Sequence, residues 1–168
     1  MSQRGALNCF LGLTHIDRAP YTSIAVLRSA VEIRIRRAFG IQGYEEASNK
    51  NFIPINMTRI SEQIKLHLPQ INFACDFNDI MRIYRWTNFY LHGGWRDFEW
   101  VAGYALQFLR PVFGNATPTP KGGLSINGGI RMPRQVWRDI RQTFSEAAKI
   151  GQKLNAADEK DAQCVFLD

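Results

Sequence analysis

Apolar residues recur at intervals of three and four along most of the chain, and this spacing predicts α-helices. The first predicted helix opens at Pro20 and runs to about Phe39, where Gly40 supplies a stop. Its apolar face comprises Ile24, Leu27, Val31, Ile35 and Ala38. The pattern assigns four charged residues to the other arcs of this helix: Glu32, Arg34, Arg36 and Arg37.

Four further helices are predicted downstream, at about 57–67, 75–92, 95–113 and 133–154. The polar stretch 42–51 and the Gly-, Pro- and Thr-rich stretch 114–123 are predicted to be loops. Residues 124–132 alternate between apolar and polar around Asn127-Gly128, which is the turn chemistry of a small β-hairpin.

These elements predict a mainly α fold, a helical bundle of about five helices with a small β-hairpin before the C-terminal helix. We expect residues 1–168 to form a single domain, in which 1–19 are an N-terminal arm and 114–132 are a loop and hairpin insertion. The length of 168 residues and the apolar content of 45% suffice for one buried core, which argues against a disordered chain.

The charge of the chain favours an anionic partner. The formal net charge is +6, and fifteen of the 21 basic residues are arginines, whose planar guanidinium suits phosphate and carboxylate groups. A net charge of this size also occurs in proteins that bind no nucleic acid. The composition therefore leaves RNA, an acidic protein and a nucleotide open as partners.

The cysteines and the hydropathy indicate the redox environment and the cellular location of the protein. Cys9, Cys75 and Cys164 are widely spaced and form no CxxC motif, so neither a disulfide framework nor a structural zinc site is indicated. No apolar run approaches the roughly 18 residues that a membrane span needs. We therefore expect a cytoplasmic protein with reduced thiols, no membrane association, no metal and no other cofactor.

The third predicted helix carries the residues most suited to chemistry. Arg85, Asn88 and His92 are three, four and seven residues apart, which places them within about 60° of one another on the flank of the apolar stripe. A histidine can move the proton of a ribose 2′-hydroxyl, and an arginine can stabilise the phosphorane that then develops. Asn88 would orient His92 or hydrogen-bond the substrate. The set requires no metal.

A structural role for the same residues stays open, because a histidine at a helix C-terminus interacts favourably with the helix dipole and Arg85 is then simply solvated. Trp86 and Phe89 lie away from the apolar stripe of this helix. They predict either a twofold dimer interface, at which the Arg85 and His92 pairs of two subunits form one groove, or a second internal contact within a bundle.

The segment RWTNFYLH, residues 85–92, resembles the Arg-and-His motif of the HEPN superfamily (higher eukaryotes and prokaryotes nucleotide-binding), and NFYLHGG is similar to its Asn-x-x-x-His ending. The segment SAVEIRIRRAFGI resembles the first long helix of that family, and the likeness covers about the first two thirds of the chain. It implies a HEPN-like helical domain that forms a homodimer with a metal-independent endoribonuclease site, as in bacterial defence or toxin–antitoxin systems.

Carried over by position, the resemblance makes His92 the acid/base and Arg85 the phosphate-binding residue. We expect four further arginines to bind RNA: Arg82, Arg96, Arg36 and Arg37. Trp86 follows the arginine directly, where family ribonucleases commonly have a polar residue, so catalytic activity stays open. Two functions remain: an RNA-binding protein with endoribonuclease activity and a cognate antitoxin or regulatory partner, or a non-catalytic interaction module that binds an acidic protein or a nucleotide.

Overall fold

The structure is a computed structural model that describes residues 20–93, 99–114, 116–118, 124–126 and 128–167. This part of the chain contains five α-helices, and the prediction of a mainly α protein is confirmed. They are α1 (Pro20–Phe39), α2 (Met57–Leu66), α3 (Phe77–Gly93), α4 (Glu99–Phe113) and α5 (Arg134–Glu146). The predicted N-terminal arm, 1–19, lies outside the described residues, as do the first predicted residues of α4.

Among the described residues, eight short strands accompany the helices: β1 (Ile41–Glu46), β2 (Phe52–Pro54), β3 (Asn72–Phe73), β4 (Ala116–Pro118), β5 (Leu124–Ile126), β6 (Ile130–Met132), β7 (Gln152–Ala156) and β8 (Val165–Phe166). They form three sheets, with strand orders β2-β1-β7, β3-β6-β8 and β4-β5. All pairs are antiparallel except β6 with β8, which is parallel. Short 3-10 helices occupy Leu68–Gln70 and Glu159–Asp161.

The predicted hairpin at 124–132 is wrong in its pairing. Strands form at both ends of this segment, but β5 pairs with β4, whereas β6 pairs with β3 and β8. After the turn the carbonyl of Gly129 accepts a hydrogen bond from the backbone N–H of Ala74 at 2.8 Å, which directs the chain onto β3. The Asn-Gly pair indicates a turn, but it does not determine which strands the turn joins.

Three other stretches differ from the prediction. The first is 114–123, which was predicted to be a loop but contains β4. The stretch 42–51, predicted as a loop, contains most of β1, and the last helix ends at Glu146 instead of continuing to about 154. β7 follows and pairs with β1, with Tyr44 opposite Leu154. The Tyr44 hydroxyl donates to the carbonyl of Phe144 at 3.0 Å, so the start of this sheet is tied to the end of α5. These strands are stabilised by partners distant in sequence, which a local pattern does not contain.

The chain divides into two compact units. Over the described residues, the first combines the chain up to Glu32 with Cys75–Pro111, and the second combines Ile33–Ala74 with the chain from Val112 onward. Every strand described above belongs to the second unit. The division concerns internal packing, and the expectation of a single domain stays a prediction.

The core of the first unit is built from α1, α3 and α4. The helical spacing of α3 predicts an apolar stripe of six residues: Ile80, Ile83, Tyr84, Thr87, Tyr90 and Leu91. Four of them are buried, and Ile83 and Leu91 are half-buried, so the stripe is confirmed. α1 and α4 complete this core with Ile24, Leu27, Val31, Ala105, Leu106 and Leu109.

The second unit has its own core, and a buried arginine belongs to it. Trp137 is fully buried and donates its Nε1–H to the carbonyl of Ala38 at 3.1 Å. Arg34, assigned by the pattern to a polar arc, is only 3% exposed. It stands seven residues after Leu27, and this spacing returns it to the apolar face of α1. The assignment of Arg34 to the solvent side is therefore wrong.

Arg34 connects three separate segments of the second unit. Its Nε donates to the carbonyl of Val112 at 2.9 Å, Nη1 to that of Gln163 at 2.6 Å and Nη2 to that of Gly128 at 2.6 Å. Burial lowers the pKa of Arg34 to about 10, and the nearby Cys164 opposes that shift. The side chain remains a cation at neutral pH, so three backbone carbonyls share one buried positive charge.

Candidate nucleic-acid interface

α3 carries the residues that the sequence singled out, and an aspartate determines where this helix begins. Asp76 Oδ1 accepts hydrogen bonds from the backbone N–H groups of Asn78 and Asp79, at 2.8 and 3.1 Å. Such capping satisfies donors that the first turn of a helix leaves unpaired. Because the start of α3 is defined in this way, the face presented by each later residue is defined as well.

Arg85 and His92 are both exposed and stand seven residues apart on α3. Seven residues are nearly two helical turns, so the two residues share one face. Arg85 Nε donates to the carbonyl of Met81 in the preceding turn at 3.3 Å. In the part of the chain that the structure describes, no hydrogen bond or ion pair joins the guanidinium to the imidazole of His92. Both groups are accessible to an external ligand.

Asn88 lies between Arg85 and His92 on α3 and is half-buried. Its carboxamide oxygen accepts a hydrogen bond from Arg28 Nε on α1. Arg28 could not be recognised from the sequence as a partner of Asn88, because the contact depends on how α1 and α3 pack. The sequence nevertheless contains one indication of this contact. Arg28 and Glu32 on α1, and Tyr84 and Asn88 on α3, are pairs four residues apart that lie at the edge of the apolar stripe of their helix.

Arg28, Glu32, Tyr84 and Asn88, which we call the α1–α3 cluster, form one polar network. Arg28 Nη2 lies 3.4 Å from the Tyr84 hydroxyl and 3.9 Å from Glu32 Oε2. The Tyr84 hydroxyl donates to Glu32 Oε2 at 3.1 Å. The guanidinium carbon of Arg28 also lies 5.5 Å from the centre of the Tyr84 ring, a cation–π distance.

The environment of Tyr84 keeps its hydroxyl protonated. Burial raises the pKa of this phenol above its usual value of 10.0, and the charge of Glu32 and the hydrogen bond to it raise it further. Arg28 and a hydrogen bond from Asn88 act in the opposite direction. The direction of the shift suits Tyr84 to a fixed hydrogen-bonding role and not to proton transfer near neutral pH.

Of the arginines predicted to bind RNA, Arg82 belongs to the first unit. Arg82 is exposed on α3 and forms an ion pair with Asp79, with Arg82 Nη1 2.6 Å from Asp79 Oδ1. Such an exposed pair contributes little to stability and opens readily. Arg96 lies outside the described residues.

The other two predicted arginines, Arg36 and Arg37, belong to the second unit. Arg36 donates to the carbonyls of Gln42 and Ile55, at 2.8 and 2.5 Å, so its guanidinium stabilises local backbone structure. Arg37 is exposed. Their predicted contact with RNA stays a prediction.

The two aromatic residues predicted for a dimer interface differ in exposure. Phe89 is 61% exposed, whereas Trp86 is half-buried and its ring lies 5.8 Å from that of Tyr90, tilted by 55°. Phe89 therefore presents apolar surface four residues after Arg85 on the same helix. The dimer stays a prediction.

The described residues form no cluster suited to a metal ion and no membrane-spanning helix. Among the described residues, no three His, Cys, Asp or Glu side chains are grouped so that they could hold a metal ion. Cys75 and Cys164 are free thiols. None of the described helices has the length and apolar character needed to cross a membrane.

Comparison with known proteins adds no relative. No family model matches the chain, and neither the curated proteins nor the solved structures contain a significant match. Membership of the HEPN superfamily, which the resemblance of residues 85–92 predicts, therefore stays a prediction. The function has to be inferred from the geometry of α3.

Proposed function

We propose that this chain is a cytoplasmic RNA-binding protein that cleaves RNA without a metal ion, with its helices forming a HEPN-like bundle. The observation that carries the proposal is the exposure of Arg85 and His92 on one face of α3, on either side of Asn88. An accessible imidazole, a guanidinium and a carboxamide are the groups that a metal-independent ribonuclease uses.

The reaction that suits these groups is an internal transesterification. His92 takes the proton from a ribose 2′-hydroxyl, and the 2′-oxygen attacks the adjacent phosphorus while the 5′-oxygen leaves with a proton from the second histidine of a dimer. The products are a 2′,3′-cyclic phosphate and a 5′-hydroxyl end. Arg85 stabilises the extra negative charge of the phosphorane, and Asn88 hydrogen-bonds the substrate.

The remaining parts of the proposal concern partners. Two copies associate through Trp86 and Phe89, which brings two α3 faces into one groove. Four further arginines bind RNA in this proposal: Arg82, Arg96, Arg36 and Arg37. A protein of this kind serves a defence or toxin–antitoxin system and is controlled by a cognate antitoxin or regulatory protein.

The test is cleavage of end-labelled single-stranded RNA in the presence of EDTA. We expect His92→Ala and Arg85→Ala each to reduce the rate at least about a hundredfold, which is typical for loss of an acid/base or a charge-stabilising group. His67→Ala, at the end of α2, and Arg110→Ala, an exposed arginine of α4, are matched controls that retain activity. Cleavage that survives both α3 substitutions would eliminate the site.

A second candidate is a non-catalytic interaction module that binds an acidic protein or a nucleotide. The exposed ring of Phe89 beside Arg85 favours it, because a mixed apolar and basic surface suits protein recognition. This function predicts that RNA is neither bound nor cleaved. RNA bound with an affinity that falls steeply with salt would exclude it in favour of a phosphate-binding role.

A further inference from the structure

Arg28 makes several contacts beside the α3 face. Its Nε donates to Asn88 Oδ1, its Nη2 lies within reach of the Tyr84 hydroxyl and Glu32, and its guanidinium carbon lies 5.5 Å from the centre of the Tyr84 ring. The guanidinium is therefore held by three neighbouring side chains at the same time. Arg28 is 33% exposed, so the group is fixed at the boundary between core and solvent.

The hydrogen bond from Arg28 determines which atoms of Asn88 are available to a ligand. The Asn88 carboxamide oxygen accepts a hydrogen bond from Arg28 Nε. An asparagine amide has two N–H donors. Asn88 therefore has an N–H group for an external acceptor such as a phosphate oxygen, while its carboxamide oxygen is held by Arg28.

The charge of Arg28 is balanced within the network. Glu32 Oε2 lies 3.9 Å from Arg28 Nη2, and the carboxylate would oppose an incoming phosphate at this position. Arg28 is thus better suited to hold Asn88 than to bind RNA itself, and Arg85, which has no acidic partner among the described residues, is the better phosphate ligand.

We infer that Arg28 is a positioning residue of the α3 site, which turns the carboxamide of Asn88 so that its N–H group faces RNA phosphate. The inference rests on the proposed function, because it assigns Asn88 a role only if RNA binds to α3. It makes the α1–α3 cluster part of the recognition apparatus and not only a packing contact between two helices.

The experiment is a double-mutant cycle on RNA affinity. Binding is measured by fluorescence anisotropy with a single-stranded 2′-O-methyl RNA, which cannot be cleaved through its 2′-oxygen. We expect Arg28→Ala and Asn88→Ala each to weaken binding about tenfold, and the double variant to bind no more than about twofold more weakly than either. Arg110→Ala removes the same charge from an exposed position of the same unit and retains the affinity of the starting protein after correction for net charge.

Two conservative variants separate geometry from charge and from folding. Arg28→Lys keeps the positive charge but lacks the planar fork, and we expect it to bind as weakly as Arg28→Ala. Asn88→Asp keeps an acceptor for Arg28 but loses the N–H donors and adds a negative charge, so we expect unfolding at an unchanged or higher temperature together with a loss of RNA affinity that persists at high salt, where the added charge is screened. These variants also provide the test if Arg28→Ala does not fold.

The outcomes are distinct. Wild-type protein that binds no RNA refutes the proposed function, and the inference fails with it. Wild-type binding combined with multiplicative losses, about a hundredfold in the double variant, refutes the inference alone. Full affinity in Arg28→Lys would likewise show that Arg28 acts through its charge and not through Asn88.

Discussion

Replacing Arg34 by methionine tests whether one buried cation organises the second unit. Methionine has a similar length and removes the three hydrogen bonds to the carbonyls of Val112, Gly128 and Gln163. Hydrogen bonds to a charged group contribute about 1.5–3 kcal/mol each. Burial of the charge opposes this gain, because the fall in the pKa of Arg34 from 12.5 to about 10 corresponds to about 3 kcal/mol.

The balance is a net loss of about 3 kcal/mol in the free energy of unfolding when Arg34 becomes methionine. For a chain of this size such a loss lowers the midpoint of thermal unfolding by about 10 °C. Urea denaturation followed by circular dichroism and by tryptophan fluorescence measures it, and the fluorescence includes Trp137 in the same unit. Arg34→Lys should lose less, since it keeps the charge and can serve some of the carbonyls.

The matched control is Arg37→Met, which makes the same chemical change at an exposed position of α1. We expect it to change stability by less than about 0.5 kcal/mol. The reasoning is refuted if Arg34→Met costs less than about 1 kcal/mol, or no more than the control, because buried carbonyls left without a donor would then be satisfied in another way.

Three further results are expected. Burial raises the pKa of Cys164 to about 11, so at pH 8 its thiolate fraction is about a hundredfold below that of a thiol with a pKa of 9. Burial also raises the pKa of Cys75, but that residue is only half-buried. Iodoacetamide labelling with peptide mass spectrometry should therefore modify Cys75 faster than Cys164, and equal rates would contradict the burial of Cys164. Glu159→Gln weakens the ion pairs of this residue with Arg134 and Arg138, whose side chains are 37% and 56% exposed. We expect the free energy of unfolding to fall by about 1 kcal/mol or less, and by less at high salt; a loss insensitive to salt would contradict its electrostatic origin. Gly40→Ala places a side chain at a φ of +66° and should cost about 1 kcal/mol in urea denaturation; an unchanged midpoint would show that the turn after α1 can relax.

The helices were predictable because the signal for a helix is local. The boundaries of α1 follow from Pro20 and Gly40, and the central stripe of α3 follows from a repeat within one segment. The strands were not predictable in the same way, since β1 is held by β7, more than 100 residues away in the chain. Short strands of this kind derive their stability from a partner that the local pattern does not contain.

The candidate site likewise has one part that the sequence predicts and one part that depends on packing. The shared face of Arg85 and His92 depends only on the geometry of one helix, and their exposure agrees with that expectation. The contact between Arg28 and Asn88 joins two residues that are 60 positions apart in the chain, so it became visible only in three dimensions. The burial of Arg34 could have been predicted from its spacing of seven residues from Leu27. It was not predicted, because a charged side chain is expected to face solvent.

The passage between β5 and β6 constrains how this protein can be labelled. Only residues 127–129 separate two strands that belong to different sheets, and the carbonyls of Gly128 and Gly129 are both engaged by distant donors. An epitope or reporter inserted there would displace both sheets. The exposed turn at Ser48 and Asn49, between β1 and β2, is a better insertion point for following the protein in cells.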